Sequence, residues 1–284
     1  MKNILVAIDF SASSMNALRI AANIANLFDA DILMVNVCKP CSNDALYPVT
    51  REMHRKEARK RLEKLVEKFQ NKLKGKIEYK IRNGHVYEEI VNQAKYSDSD
   101  LIIAGTHGIS GLEEFFMGSN AFRIVTTSHC PTLTIREDYK GDTFSSILLP
   151  LDASRDTRQK ITFSSRLAKA FGSKVHILGI YQNANQKDQH KINIYCKQAK
   201  EYLDRYGVEN ETHYTQSRKV ADAAIEFAKK LETNLISIMS EIDSSAFSRV
   251  LGNQAQRIVN HSGSPVLCVH AKSLFNYQTT FKGV

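Results

Sequence analysis

The sequence predicts an α/β protein made of two tandem, doubly wound domains, each with a five-stranded parallel sheet. Three observations support this fold class. Apolar runs of strand length alternate with segments of helical period. Most of the runs are almost continuously apolar, which is typical of parallel strands covered on both faces. The whole pattern also occurs twice along the 284 residues.

Five segments of the first half predict strands, and helices fit between them. Ser13 begins the first predicted helix, and Ser11 or Ser13 is a natural N-cap, because a serine hydroxyl accepts from a first-turn amide. Later helices are predicted over 51–73 and 86–96, where apolar residues recur on one face. The predicted strands cover 4–9, 30–37, 76–82, 100–105 and 131–136.

The repeat can be read directly from the sequence. ILVAIDFSASS at 4–14 returns as ILLPLDASRDT at 147–157, an offset of 143. LIIAG at 101–105 returns as LISIM at 235–239, an offset of 134. The copies predict domains at 1–140 and 144–271, with a tail at 272–284.

A sheet edge that faces an equivalent edge can pair with it. We therefore expect the last strands, PTLTIRE and SPVLCVHA, to meet around a pseudo-twofold axis. The chain would then be a pseudo-dimer, and a homodimer of whole chains stays open.

The most informative stretch is LIIAGTHGISGLEEFFMGSN at 101–120. An apolar strand ends in Gly105, further glycines follow, and helical spacing resumes after Ser119. Glycine allows a ligand to approach the main chain, and a helix N-terminus presents unpaired amides to a phosphate. The alternative is that these glycines only end a strand and cap a helix.

Two other phosphate-binding motifs do not fit. Gly118-Ser119-Asn120 lacks the lysine of a Walker loop. A dinucleotide fingerprint would place glycines after the first strand, where Phe10-Ser11-Ala12-Ser13 stands instead.

Composition sets further limits. The net charge of +9 lies mostly in the second half, but basic and aromatic residues do not interleave there as in proteins that stack on bases, so nucleic acid is an unlikely partner. No apolar run is long enough to cross a membrane, and five cysteines without an extracellular pattern favour a reduced, cytoplasmic compartment.

With the first strand, its aspartate, the glycine spacing and the repeat, the chain resembles a tandem universal stress protein. The resemblance implies a Rossmann-like fold of the adenine nucleotide alpha hydrolase-like class. It also implies ATP as ligand, held at the carboxyl ends of the strands. An accompanying Mg²⁺ would be held mainly by phosphate oxygens, and no protein ligand for a metal is assigned.

The resemblance assigns a role to eight residues. Asp9 would lie beside adenine or ribose, and Ala7 would line the base pocket. The backbone of Val37 would bond adenine, and Gly105 and Gly108 would let the main chain pass close to ribose and phosphates. The phosphates would accept hydrogen bonds from the backbone amides of Gly118, Ser119 and Asn120, and the Ser119 hydroxyl would donate one more.

The second copy departs from this pattern. Gly105 becomes Met239, Gly108 becomes Ile242 and Ser119 becomes Asn253, while Gly118 returns as Gly252. Bulky side chains would fill the space that glycine leaves, and Glu241 and Asp243 add negative charge there. We expect no ATP binding of the family type in this half.

Other reactive residues give weaker signals. Cys38-Lys39-Pro40-Cys41 follows a strand and not a helix start, so a thioredoxin-type role is disfavoured. A zinc site would need His54, or His129 with Cys130, as further ligands. His107 lies between loop glycines without an assignable catalytic partner, so we place it at the rim of the pocket.

These features predict an ATP-binding stress-response or signalling module with at most slow ATP hydrolysis and an unknown protein partner. One alternative is a nucleotide-free stress protein that acts through its surfaces. Another is an ATP-using enzyme of the same broad fold, although the S-G-G-x-D-S and H-I-G-H loops of that class do not occur here.

Overall fold

A computed structural model describes residues 1–38, 48–106, 118–154, 156–182, 186–240 and 252–270. In the first half, strands and helices alternate as predicted, and the third helix has the predicted bounds. The elements are β1 (Asn3–Ala7), α1 (Ala12–Phe28), β2 (Asp31–Cys38), α2 (Pro48–Gln70), β3 (Ile77–Asn83), α3 (Val86–Tyr96), β4 (Leu101–Gly105), α4 (Ser119–Thr127) and β5 (Thr132–Ile135).

The second half repeats this order. Its elements are β6 (Ser146–Leu151), α5 (Lys160–Phe171), β7 (Lys174–Tyr181), α6 (Gln186–Tyr206), β8 (Asn210–Gln216), α7 (Val220–Lys230), β9 (Leu235–Ser240), α8 (Asn253–His261) and β10 (Val266–His270). None of the described helices is long and apolar enough to cross a membrane.

The two five-stranded parallel sheets join into one sheet of ten strands, in the order β3-β2-β1-β4-β5-β10-β9-β6-β7-β8. The junction is the antiparallel pair β5 and β10, in which Leu133 lies opposite Leu267. The buried Thr134 hydroxyl donates to the Val266 carbonyl at 3.2 Å. The predicted meeting of the last strands is therefore confirmed. Because every other pair of described strands is parallel, the strands of the two halves end at opposite edges of the sheet.

Helices cover both faces of the sheet, as the apolar strands predict. On one face, α1, α2, α5 and α6 share a continuous core that includes Leu18, Leu62, Leu167 and Leu203. On the other face, α3 and α4 pack over the first half, and α4, α7 and α8 pack over the second. The core of the first face runs through both halves.

The start of the first helix depends on a glycine in a neighbouring strand. Ser11 caps α1, and its hydroxyl accepts from the Ser14 amide at 3.2 Å. The next turn packs so closely on β4 that a Cβ at Gly105 would lie 2.8 Å from the backbone carbon of Ser13. No real Cβ contact is that short, so glycine is required at this position by the packing of the chain itself.

The second half carries a larger residue in place of that glycine. Met239 stands at the equivalent position and is buried. An offset of 143 from Ala12 would start α5 at position 155, but the helix begins at Lys160. In the first half, a side chain at the equivalent position would collide with the first turn of α1, and the later start of α5 is consistent with the larger residue, Met239.

The strand positions exclude one possible set of zinc ligands, Cys38 with His129 and Cys130. Cys38 ends β2 at the carboxyl edge, whereas His129 and Cys130 precede β5 at the amino edge of the same parallel sheet. A single ion cannot bridge opposite edges. Cys41 lies outside the described residues.

Gly105→Ala should lower the free energy of unfolding by about 1–3 kcal/mol, because the added methyl group overpacks the contact with Ser13. Urea denaturation followed by circular dichroism measures this change. Gly263→Ala is the control, because no atom of the described residues lies within 4 Å of the added carbon. Equal effects of the two substitutions would refute the packing requirement at Gly105.

Three cysteines should resist thiol reagents in the folded protein. Burial raises the pKa of Cys196 to about 11 and raises the pKa of Cys268 well above its usual range, and Cys130 is also buried. Since the thiolate is the reactive form, a Cys38→Ser/Cys41→Ser variant should show almost no reaction with Ellman's reagent at pH 8. Denaturant should then release three thiols, and a fast reaction of the folded variant would contradict the burial.

Candidate functional site

The candidate site lies at the carboxyl edge of the first half, where the strand order changes direction. From β1 the chain proceeds to β2 on one side, and β4 lies on the other side. Connections that diverge in this way leave a crevice between β1 and β4, which is where open α/β sheets bind ligands. Asp9 follows β1 and Gly105 ends β4, so the sequence places two of the predicted site residues beside this crevice.

Asp9 is held in a tight turn. Its Oδ1 accepts from the Ser11 amide at 3.0 Å and from the Ser11 hydroxyl at 2.5 Å. Between them, Phe10 has a φ of 64°, a left-handed conformation that is uncommon for a bulky residue. The Phe10 ring packs against the guanidinium of Arg61 at 3.9 Å. Asp9 therefore organises the turn before α1, which is a simpler role than contact with a nucleotide.

The second half repeats the two hydrogen bonds of this turn. The Oδ1 of Asp152 accepts from the Ser154 amide at 3.0 Å and from its hydroxyl at 2.6 Å. The two hydrogen bonds of the turn therefore belong to the repeated fold, whereas the positive φ of Phe10 has no counterpart at Ala153. These bonds do not by themselves distinguish a half that binds nucleotide from one that does not.

Ala7 and Val37 lie together on one face of the sheet, against the apolar cluster formed with α3 and α4. The Val35 carbonyl accepts from the Ile8 amide at 2.9 Å. Residues two apart in a strand direct their backbone groups to the same side, so the N–H and C=O of Val37 also point towards the side of β1. Val37 lies beyond Val35, the last β2 residue that pairs with β1. The backbone of Val37 thus faces the carboxyl edge next to Ala7.

Asn36 is a residue that the sequence reasoning missed. It is buried, and its side-chain amide donates to the Ile8 carbonyl at 2.8 Å. This bond fixes the end of β1 against β2 just before Asp9. A polar residue inside the apolar run MVNV was the available signal.

Gly118 is the N-cap of α4, with φ −55° and ψ 145°, and as a glycine it has no side chain to cap the helix. The Gly118 amide donates to the Thr106 carbonyl at 2.8 Å. This amide is therefore already paired within the chain, contrary to its expected donation to a phosphate. Ser119 is exposed and Asn120 is partly exposed in the first turn, whose amides point out of the helix.

The glycines at 105 and 118 have different causes. A Cβ at 105 would point towards Ser13 of α1, so packing explains that glycine. Among the described residues, the atom nearest to a Cβ at 118 would be the Thr106 carbonyl oxygen, at 3.4 Å, an ordinary contact. The backbone of Gly118 also suits any residue. Neither the conformation nor the packing of the described chain requires glycine at 118.

Several expected residues lie outside the described parts of the chain. In the first half these are Gly108, with His107 and Gly111 beside it. In the second half they are Ile242 and the two acidic residues, Glu241 and Asp243. The residues on either side of this segment are described. Met239 is buried in β9, and Gly252 caps α8 with φ −53° and ψ 144°.

Sequence comparison identifies the same family in both halves. A profile described as the universal stress protein family matches residues 1–136 and 143–270. A universal stress protein of Methanocaldococcus jannaschii is 32% identical over 144 residues, which is 49% of this chain and 84% of that protein. A universal stress protein of Thermus aquaticus is 25% identical over 135 residues, covering 48% of this chain and 98% of that protein.

Solved structures extend the likeness in fold to the whole chain. The crystal structure of a universal stress protein from Archaeoglobus fulgidus matches with a TM-score of 0.77 at 18% identity, covering 94% of this chain and 98% of that chain. A putative universal stress protein from Pseudomonas aeruginosa matches with a TM-score of 0.68 at 14% identity, covering 95% and 93%. With a family match in each half and this fold, the chain belongs to the universal stress protein family as a tandem of two domains.

Proposed function

We propose that the first half binds ATP in the crevice at its carboxyl edge, and that the chain works as a nucleotide-dependent stress-response module. Binding of ATP is common in this family. The observation that carries the proposal is Gly118, a glycine that neither the backbone nor the packing of the described chain requires. A ligand that approaches the start of α4 closely would explain why a side chain is absent there.

The phosphates would lie at the start of α4. Amides of the first turn and the positive end of the helix dipole both favour an anion. The Gly118 amide is bonded to Thr106, so the donors in this proposal are the amides of Ser119 and Asn120 and the Ser119 hydroxyl. A Mg²⁺ ion would be held mainly by phosphate oxygens.

The adenosine would lie between the ends of β1 and β2. Ala7 offers a small apolar surface, and the backbone of Val37 faces the same space. Asp9 would stand beside adenine or ribose with its Oδ2, because Oδ1 is used within the turn. Asn36 would act indirectly, by fixing the end of β1.

The second half is proposed not to bind ATP in this manner. Met239 replaces the glycine at the end of the fourth strand, and α5 begins five residues later than the repeat predicts. Both changes alter the crevice between β6 and β9. The acidic residues Glu241 and Asp243 would also repel phosphates.

Hydrolysis of ATP is proposed to be slow at most. Phosphoryl transfer needs cationic groups that stabilise the charge on the transferred phosphoryl. Residues 107–117, which connect β4 to α4, include no Lys or Arg and two glutamates. A binding or signalling role therefore fits the chain better than a role as an ATP-consuming enzyme.

Calorimetric titration of Mg²⁺-ATP into the full chain should show one site. Gly118→Val should weaken the affinity at least about tenfold, because its branched side chain would occupy the approach to the α4 amides. The matched control is Gly252→Val, the same backbone position in the second half. It should leave the affinity for ATP unchanged.

Thermal unfolding of both variants separates binding from stability. Each should keep the midpoint of the wild type within a few degrees, since φ near −55° suits valine. No ATP binding by the wild type would favour the nucleotide-free alternative, in which the protein acts through its surfaces. Equal losses in the two variants would contradict the placement in the first half.

A further inference from the structure

A cluster of three ligand-type side chains lies in the second half, away from the candidate nucleotide site. His176 is on β7, and Glu211 and His213 are on β8, the edge strand of the sheet. His176 pairs with Glu211 in the strand register, and His213 follows two residues later on the same face. One ligand atom of each residue lies within 4.8 Å of the others.

We infer that His176, Glu211 and His213 form a binding site for a divalent transition-metal ion such as Zn²⁺. Two imidazoles and one carboxylate are a ligand set that zinc accepts, and it leaves a fourth position open for water or another ligand. The proposed ATP site involves none of these three residues.

The distances are close to those of a zinc site. His176 Nδ1 and His213 Nε2 are 3.1 Å apart. Glu211 Oε2 lies 4.0 Å from His176 Nδ1 and 3.9 Å from His213 Nε2. Zinc–nitrogen bonds of 2.0–2.1 Å in a tetrahedral site put ligand atoms about 3.3 Å apart. The histidines are nearly in place, and a small movement of the half-exposed Glu211 would complete the set.

The surroundings hold the histidines in position. His176 is 8% exposed, and the His213 ring packs against Phe227 of α7 with centroids 5.2 Å apart. Glu211 is exposed at the sheet edge and gives an ion a route of entry.

In the metal-free state, the two imidazoles share one hydrogen bond, so one of the facing nitrogens carries a hydrogen. Metal binding requires a lone pair from both nitrogens. The hydrogen would move to the other nitrogen of the same ring, and the two rings would stay neutral.

Lys174 is the main competitor of the metal. Its ammonium lies 2.9 Å from Glu211 Oε2. An ion would share the carboxylate with Lys174 and experience its positive charge. The competition gives the proposal a distinctive consequence, because removing the ammonium should strengthen metal binding.

The first half provides an internal comparison. The strand register places Leu33 at the position of His176, and Glu78 and Lys80 at the positions of Glu211 and His213. A leucine and a lysine cannot replace the histidine ligands. The site therefore belongs to the second half alone and not to the repeated fold.

The test is a titration of Zn²⁺ into the untagged, chelator-treated full chain, followed by calorimetry. We expect the joint His176→Gln/His213→Gln variant to lose one equivalent of bound Zn²⁺. Glu211→Gln, at an exposed position that should not disturb folding, should weaken this equivalent at least about tenfold. His190→Gln, an exposed histidine on α6, should bind as the wild type does.

Lys174→Met should tighten Zn²⁺ binding about fivefold or more, since a charge about 4 Å away contributes about 1 kcal/mol even in water. Zn²⁺ should also raise the thermal midpoint of the wild type and of Lys174→Met, because a ligand that binds only the folded state stabilises it. The inference is overturned if the wild type and the joint histidine variant bind the same number of ions, or if Lys174→Met binds no tighter. In that case the cluster is a hydrogen-bonded contact of the sheet edge.

Discussion

The architecture depends on the antiparallel pairing of β5 with β10. This pair turns two parallel sheets into one sheet and removes one open edge from each half. It also reverses the second half relative to the first, so their crevices lie at opposite edges of the sheet. The two copies could therefore change independently, because neither crevice borders the other.

Two glycines at one edge illustrate how a motif combines packing with function. Gly105 is needed because Ser13 occupies the space of its missing side chain. Gly118 has no comparable need within the described chain, and a ligand would supply one. The spacing of glycines in the sequence cannot separate these two causes, since both result in a glycine. The distinction required the positions of α1 and of the Thr106 carbonyl.

Much of the fold was predictable because buried parallel strands leave a strong apolar signal. LIIAG and LISIM mark β4 and β9 directly, and the repeat places the remaining elements. The start of α5 was not predictable from the repeat, because Met239 lies in a distant strand and its position relative to the helix is set by the fold. The His176 cluster was hidden for a similar reason: 35 residues separate His176 from Glu211, and the register of β7 and β8 alone brings them together.

The most direct test of nucleotide binding is a crystal structure of the full chain grown with Mg²⁺-ATP. We predict electron density for one nucleotide per chain, with its base beside Val37 and its phosphates at the amides of Ser119 and Asn120. The crevice between β6 and β9 should hold no nucleotide. Density for ATP in the second half, or phosphates placed away from the start of α4, would contradict this account.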